Sequence, residues 1–380
     1  MAGPVALYLH IPFCPKKCLY CDFLSFAGRG NLLPAYLAAL RKEICLLEKD
    51  ELQAGTVYIG GGTPTIAAGK DLALLVQEIK RTVRLQPAAE ITVEANPGTV
   101  SEQKLALLRE TGINRLSFGA QAGQDRMLQA LGRIHTVSQT EEAVVAARRA
   151  GFTNINLDLL YGLPGQTVAD WEKTLKWAVG LRPDHLSCYC LQVETGTLLG
   201  EKIGSGHLTL PAEEEMVIMF NQTLNILADA GYLQYEISNF APKGYECSHN
   251  LCYWQYRDYF GLGLGSHSFV SGERRVNEKS FPLYINKIMD GKQPVRHKET
   301  ISPLRGMTEM IMLGLRLNRG IDAGDFSRRW KRDLRSFLSP QAGMLEENNL
   351  IYWKKNSCRL TTRGMLVSNK VLAELLDPYL

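Results

Sequence analysis

From residue 5 to about residue 240, short apolar runs alternate with longer stretches whose apolar positions recur every three to four residues. The runs Val5–His10, Thr56–Ile59, Glu90–Glu94, Asn114–Phe118, Asn154–Asp158, His185–Cys190 and Gln234–Ser238 read as strands. Leu32–Glu48, Leu72–Arg84, Ser101–Glu110, Val137–Ala150 and Val168–Val179 read as amphipathic helices. Strand alternating with helix implies parallel pairing through right-handed crossovers, so the fold class is α/β. Nearly every strand candidate ends in a polar residue or glycine: His10, Gly60, Glu94, Gln121, Asp158, and Gln192 with Glu194. Such residues recurring all round favour a barrel, whose strand ends form the site, over a doubly wound sheet with one switch point. The expectation is an incomplete (β/α) barrel of six or seven strands.

The alternation stops after residue 240. Residues 241–290 are rich in glycine and aromatics without a clean period. Residues 291–380 turn helical again, with helices expected at Pro303–Leu317, Asp325–Phe337 and Thr362–Leu376 and a strand at Leu350–Trp353. That order outlines a small winged-helix-like module. The division is therefore 1–240, 241–290 and 291–380.

Composition narrows the class. A length of 380 residues accommodates a large domain and a smaller one. A formal charge of +4, with no basic stretch interleaved with aromatics, gives no case for nucleic acid. No apolar run approaches the roughly 18 residues of a membrane span. Met1 to Pro4 carries no basic n-region of a signal peptide, so a cytoplasmic address is expected. Nine cysteines, mostly dispersed, do not make a disulfide framework, and the tight group at 14–21 reads as a metal site.

That group is Cys14-Pro-Lys-Lys-Cys18-Leu-Tyr20-Cys21-Asp22-Phe23. Three thiolates spaced C-x₃-C-x₂-C can each take one iron of a [4Fe–4S] cubane and leave the fourth iron open. The alternative is a zinc site with His10 as fourth ligand. Further on, Gly60-Gly-Gly-Thr63-Pro64 follows a strand directly, where glycines let backbone amides approach a ligand.

Together the cysteine loop and the glycine run resemble the radical S-adenosylmethionine (SAM) superfamily. Within it, Glu94-Ala-Asn-Pro-Gly, Arg115-Leu-Ser-Phe-Gly-Ala-Gln121, Leu131-Gly-Arg133-Ile-His, Asn156-Leu-Asp158-Leu-Leu-Tyr-Gly-Leu-Pro-Gly and His185-Leu-Ser are similar to the coproporphyrinogen dehydrogenase-like branch, collinear from Tyr8 to about Phe269. The resemblance implies that Cys14, Cys18 and Cys21 hold the cluster. It also implies that Tyr8, Gly61, Gly62, Thr63, Glu94, Gln121, Arg133 and Asp158 line the SAM pocket, with Tyr20 able to pack on the adenine. The implied chemistry is one-electron cleavage of SAM to a 5′-deoxyadenosyl radical.

Two departures distinguish the chain from the dehydrogenases of that branch, which carry a further cysteine two residues on and an N-terminal extension. Here the position is Phe23, and seven residues precede Tyr8. Both features resemble the HemW-type haem chaperones, as does His249-Asn-Leu-Cys252-Tyr253-Trp254, an H-N-x-x-Y-W element associated with haem binding. The expected function is binding haem and passing it to an acceptor protein. The alternative is an oxygen-independent coproporphyrinogen III oxidase-like enzyme. His249 is the candidate haem ligand, with His267, Cys247 and Cys252 as weaker ones. Cys188 and Cys190 share a strand face and are expected to pack. The basic run Arg328, Arg329, Lys331, Arg332 and Arg335 reads as a solvated helix face, with peripheral membrane or acidic-partner contact as the lesser option.

Overall fold

The computed structural model describes residues 3–47 and 52–379. Twelve strands form its main sheet: β1 (Val5–Ile11), β2 (Gln53–Gly61), β3 (Arg84–Ala95), β4 (Arg115–Gln121), β5 (Ile155–Tyr161), β6 (His185–Cys190), β7 (Leu233–Gln234), β8 (Asn239–Ala241), β9 (Tyr259–Leu262), β10 (His267–Val270), β11 (Glu273–Asn277) and β12 (Val295–Thr300). Their order is β12-β11-β10-β9-β1-β2-β3-β4-β5-β6-β8-β7. The seven from β9 to β6 run parallel, and antiparallel strands extend both ends. Among the described residues β12 and β7 do not pair, so the barrel stays open.

Seven parallel strands fall within the expected number, but the seventh is not the expected one. Gln234–Ser238 is not a parallel strand. The chain doubles back between β7 and β8, which pair antiparallel through Gln234 and Phe240. The parallel partner of β1 is β9, from the segment without clear period, where Tyr8 pairs with Gly261. Its short strands and glycines are too brief to show alternation. β12 continues the same sheet beyond residue 290.

The crossover helices bury apolar faces against the sheet and start at recognisable caps. Thr136 and Thr167 each form a capping box, with Gln139 and Asp170. Trp171, fully buried, anchors the Val168–Gly180 helix and donates its indole N–H to Thr223 at 2.9 Å. The first helix spans Leu33–Cys45; the expected end at Glu48 lies outside the described residues.

A second core is built from the C-terminal residues, including Ile311, Phe326, Leu338 and Leu375. Helices Pro303–Gly314, Ala323–Trp330 and Leu334–Glu347 pack with a three-stranded sheet of Ile321–Asp322, Ser357–Leu360 and Ile351–Lys354, a winged-helix arrangement. The expected helix Asp325–Phe337 is two helices, because Lys331 turns left-handed at φ 55° and Asp333 caps a new start. Thr362–Leu376 likewise breaks at Val367. The basic run is exposed throughout, as expected, but is divided between two helices and the turn joining them; Arg329 lies over the Tyr256 ring at 4.7 Å and Arg335 over Trp353 at 4.1 Å. No helix among the described residues is long and apolar enough to cross a membrane.

Candidate cofactor site

The carboxyl ends of β2 to β6 and the cysteine loop enclose a cavity of about 420 Å³. Cys14, Cys18 and Cys21 all line it and none is fully buried. Each of two sulfurs faces a donor: the Thr63 hydroxyl donates to Cys14 Sγ at 3.7 Å, and Arg133 Nη1 donates to Cys18 Sγ at 3.4 Å. Burial pushes the Cys14 thiol up, and the Thr63 hydroxyl works against that rise. Among the described residues no three His, Cys, Asp or Glu side chains converge on a single metal-ion position. His10 is also unavailable as a fourth zinc ligand, since its Nδ1 meets the Tyr8 hydroxyl and its Nε2 the Leu24 carbonyl, both at 2.9 Å. Three cysteines lining one cavity are the donor set that a [4Fe–4S] cluster with three protein ligands needs.

The glycine run fits tightly below that loop. A Cβ on Gly61, whose φ is +119°, would meet His10 Nδ1 at 2.6 Å. One on Gly62 would meet the Phe13 carbonyl at 2.6 Å and Cys14 Sγ at 2.9 Å. Only glycine lets the strand end and the cysteine loop approach this closely.

Opposite stand the charged groups. Glu94 accepts the Tyr58 hydroxyl at 2.9 Å and the Gly61 N–H at 3.0 Å. Burial, and then the nearby Asp158, push its carboxyl up to about 7. Asp158 accepts from Ser117 at 3.1 Å and from Asn156 at 2.9 Å; burial raises its pKa against those bonds. Arg133 donates Nη2 to Asn96 and to the Gly119 carbonyl, leaving its buried Nε without a partner. Gln121 ends β4 at φ 65°, past a register shift that turns its side chain into the cavity.

Of the positions singled out from sequence, Tyr20, Gly61, Gly62, Thr63, Glu94, Gln121, Arg133 and Asp158 line the cavity with the three cysteines. Tyr8 does not. Its strand neighbour Tyr58 takes the place on the wall, with the Tyr8 ring 6.2 Å behind it. Asn96, which links Arg133 to the Thr63 hydroxyl, and Tyr189 were also missed. Asn96 stands in the Glu94-Ala-Asn-Pro-Gly stretch, where its polarity was the available signal.

His249 does not line the cavity. It is buried on the Ser248–Trp254 helix, and its Nδ1 and Nε2 lie 2.9 Å from the hydroxyls of Thr56 and Tyr253. Burial and then Arg115 hold its pKa down to about 3, so the ring is neutral. Both nitrogens are occupied, and iron would have to displace one partner. Cys247 and Cys252 are buried as well, whereas His267 is exposed on β10. Cys188 packs in the core, and Cys190 reaches the cavity wall.

The Radical SAM superfamily profile matches residues 8–178, and the HemN C-terminal domain profile matches residues 301–367. The heme chaperone HemW of Bacillus subtilis is 36% identical over 97% of this chain and 98% of its own length. That of Lactococcus lactis is 33% identical over 98% of this chain and 97% of its own. The structure of coproporphyrinogen III oxidase (HemN) from Escherichia coli matches with a TM-score of 0.85 at 24% identity, covering 100% of this chain and 91% of that one, a likeness of fold. Identity at this level along nearly the whole of both chains makes this protein a member of the HemW family, within the radical SAM superfamily.

Proposed function

We propose that the chain is a haem chaperone: it binds haem and passes it to an acceptor protein, using a barrel that also holds a [4Fe–4S] cluster and SAM. The observation that carries this over a coproporphyrinogen oxidase reading is Phe23. It stands where the dehydrogenases of the branch have a further cysteine, and the residue is 65% exposed at the cavity rim. Similarity to relatives named as haem chaperones over nearly their full length supports the same reading.

Cys14, Cys18 and Cys21 would hold the cluster. When bound, it supplies a single electron for reductive cleavage of the SAM sulfonium. The chain's own part is to bind, orient and exclude water. Backbone at Gly61 and Gly62 with Thr63 would border the methionine end, and Glu94 and Asp158 would offer acceptors to its donors. Arg133 would neutralise thiolate charge through Cys18 and offer its free Nε to the ligand. Tyr20 and Gln121 would close the remaining walls. The haem ligand is not His249 while its ring nitrogens keep their present partners. A reducing, cytoplasmic setting accords with nine cysteines that are all free.

The test is turnover. With coproporphyrinogen III, SAM and a strong reductant under anaerobic conditions, the reconstituted protein is expected to yield no protoporphyrinogen IX. Steady production of it would overturn the chaperone reading in favour of the oxidase one.

A further inference from the structure

The H-N-x-x-Y-W element sits directly behind the wall of the SAM pocket. His249 stacks on Tyr58, ring centroids 5.0 Å apart and planes inclined by 27°. On the cavity side, the Tyr58 hydroxyl donates to Glu94 Oε1 at 2.9 Å. The imidazole cannot turn, because Thr56 and Tyr253 hold its two nitrogens. Tyr253 is itself braced edge-on by Tyr259 at 4.7 Å. The helix carrying these residues is pinned to β3 by Glu90, whose carboxylate accepts the N–H groups of Ser248 and His249, each at 3.0 Å. Glu90 and Glu94 lie four residues apart on β3 and so share its inner face. The contacts close a ring: Glu90 to the helix, His249 to Tyr58, Tyr58 to Glu94, and back along the strand.

We propose that this element is a positioning device for the SAM pocket, in which His249 sets the ring plane of Tyr58 and the Tyr58 hydroxyl sets the rotamer of the Glu94 carboxylate. The inference rests on the reading of Glu94 as a SAM contact. A carboxylate held by one donor on each oxygen, Tyr58 and the Gly61 amide, presents its remaining lone pairs to the cavity in one orientation. A ligand then binds without first freezing that side chain. His249 is thus a positioning residue that acts on SAM through Tyr58, and the motif has a task in the barrel apart from any contact with haem. A histidine that only filled the core would lower stability without affecting SAM in a way that depends on the Tyr58 hydroxyl.

A double-mutant cycle on SAM affinity separates these roles. Anaerobic calorimetry on reconstituted protein, with iron content confirmed for each variant, compares wild type, Glu94→Gln, Tyr58→Phe, His249→Ala and the Tyr58→Phe/His249→Ala double. Glu94→Gln is expected to weaken SAM binding about tenfold or more, the scale of a charge-assisted hydrogen bond. Tyr58→Phe and His249→Ala should each weaken it by about fivefold, and the double by no more than about twice the worse single. Wild-type affinity in His249→Ala, or single effects that multiply in the double, would overturn the positioning role while Glu94→Gln still binds weakly. Wild-type affinity in Glu94→Gln would instead overturn the pocket reading beneath it. If His249→Ala fails to fold, Tyr253→Phe, which removes one hydroxyl from the imidazole's support, takes its place in the cycle under the same criteria.

Discussion

Arg133 donates a guanidinium hydrogen to Cys18 Sγ across 3.4 Å, joining the cluster loop to the cofactor wall in one contact. Through Nη2 the same side chain reaches the Gly119 carbonyl at 2.8 Å and Asn96. Loop and wall are therefore one structure, and changes on either side have distinct signatures.

Replacing Cys14, Cys18 or Cys21 singly with Ala should abolish the brown chromophore near ~400 nm and the bound iron, because two thiolates cannot hold a cubane. Cys45, Cys188 and Cys358 should each be replaceable without loss of iron; none of them lines the cavity. Iron analysis after anaerobic reconstitution decides it. A cluster that survives Cys18→Ala contradicts the assignment.

Gly62→Ala should behave like a cysteine variant although it removes no ligand. Its Cβ would press on Cys14 Sγ and the Phe13 carbonyl, so the loop has to move off the strand end. We expect loss of most iron, with thermal stability falling by about 1–3 kcal/mol, the scale of an overpacked site. Gly3→Ala, with nothing within 4 Å, serves as the control and should match wild type.

The pH dependence follows from Glu94. Its folded pKa is raised to about 7, so below that value the empty pocket holds a proton that a cationic ligand must displace. SAM affinity should therefore fall as pH drops from 8 to 6, approaching tenfold per unit below pH ~7. Calorimetry at pH 6 in buffers of different ionisation enthalpy should report proton release on binding. Glu94→Gln should flatten the profile. A profile unchanged by that substitution assigns the titration to another group.

Much of this was legible in the sequence. Six of the seven parallel strands announced themselves, because a strand buried on both faces needs a continuous apolar run and each ends in or beside a residue that reaches the site, whereas β9 is too short and glycine-rich to do so. The cysteine loop and the glycine run were readable because their spacing is the chemistry. Tyr8 and Tyr58 were not separable: they are cross-strand neighbours, and only the curvature of the sheet decides which ring meets the cavity. The role of His249 was invisible for a related reason. A histidine beside aromatics looks the same in sequence whether its nitrogens are open or, as here, closed by Thr56, which lies 193 residues away.

For haem itself, His249→Phe should leave the Soret band of the haem complex unchanged, since the imidazole is buried with both nitrogens engaged. Absorption spectra of the two complexes suffice. A shifted Soret maximum would mean that the helix at Ser248–Trp254 rearranges to ligate iron.

Whether the chain carries haem is decided by titrating haem into the anaerobically purified protein and following the Soret band. Haem is expected to bind saturably at a fixed stoichiometry, both in cluster-loaded protein and in the Cys18→Ala variant without a cluster. A signal that rises linearly with added haem and never saturates would contradict it.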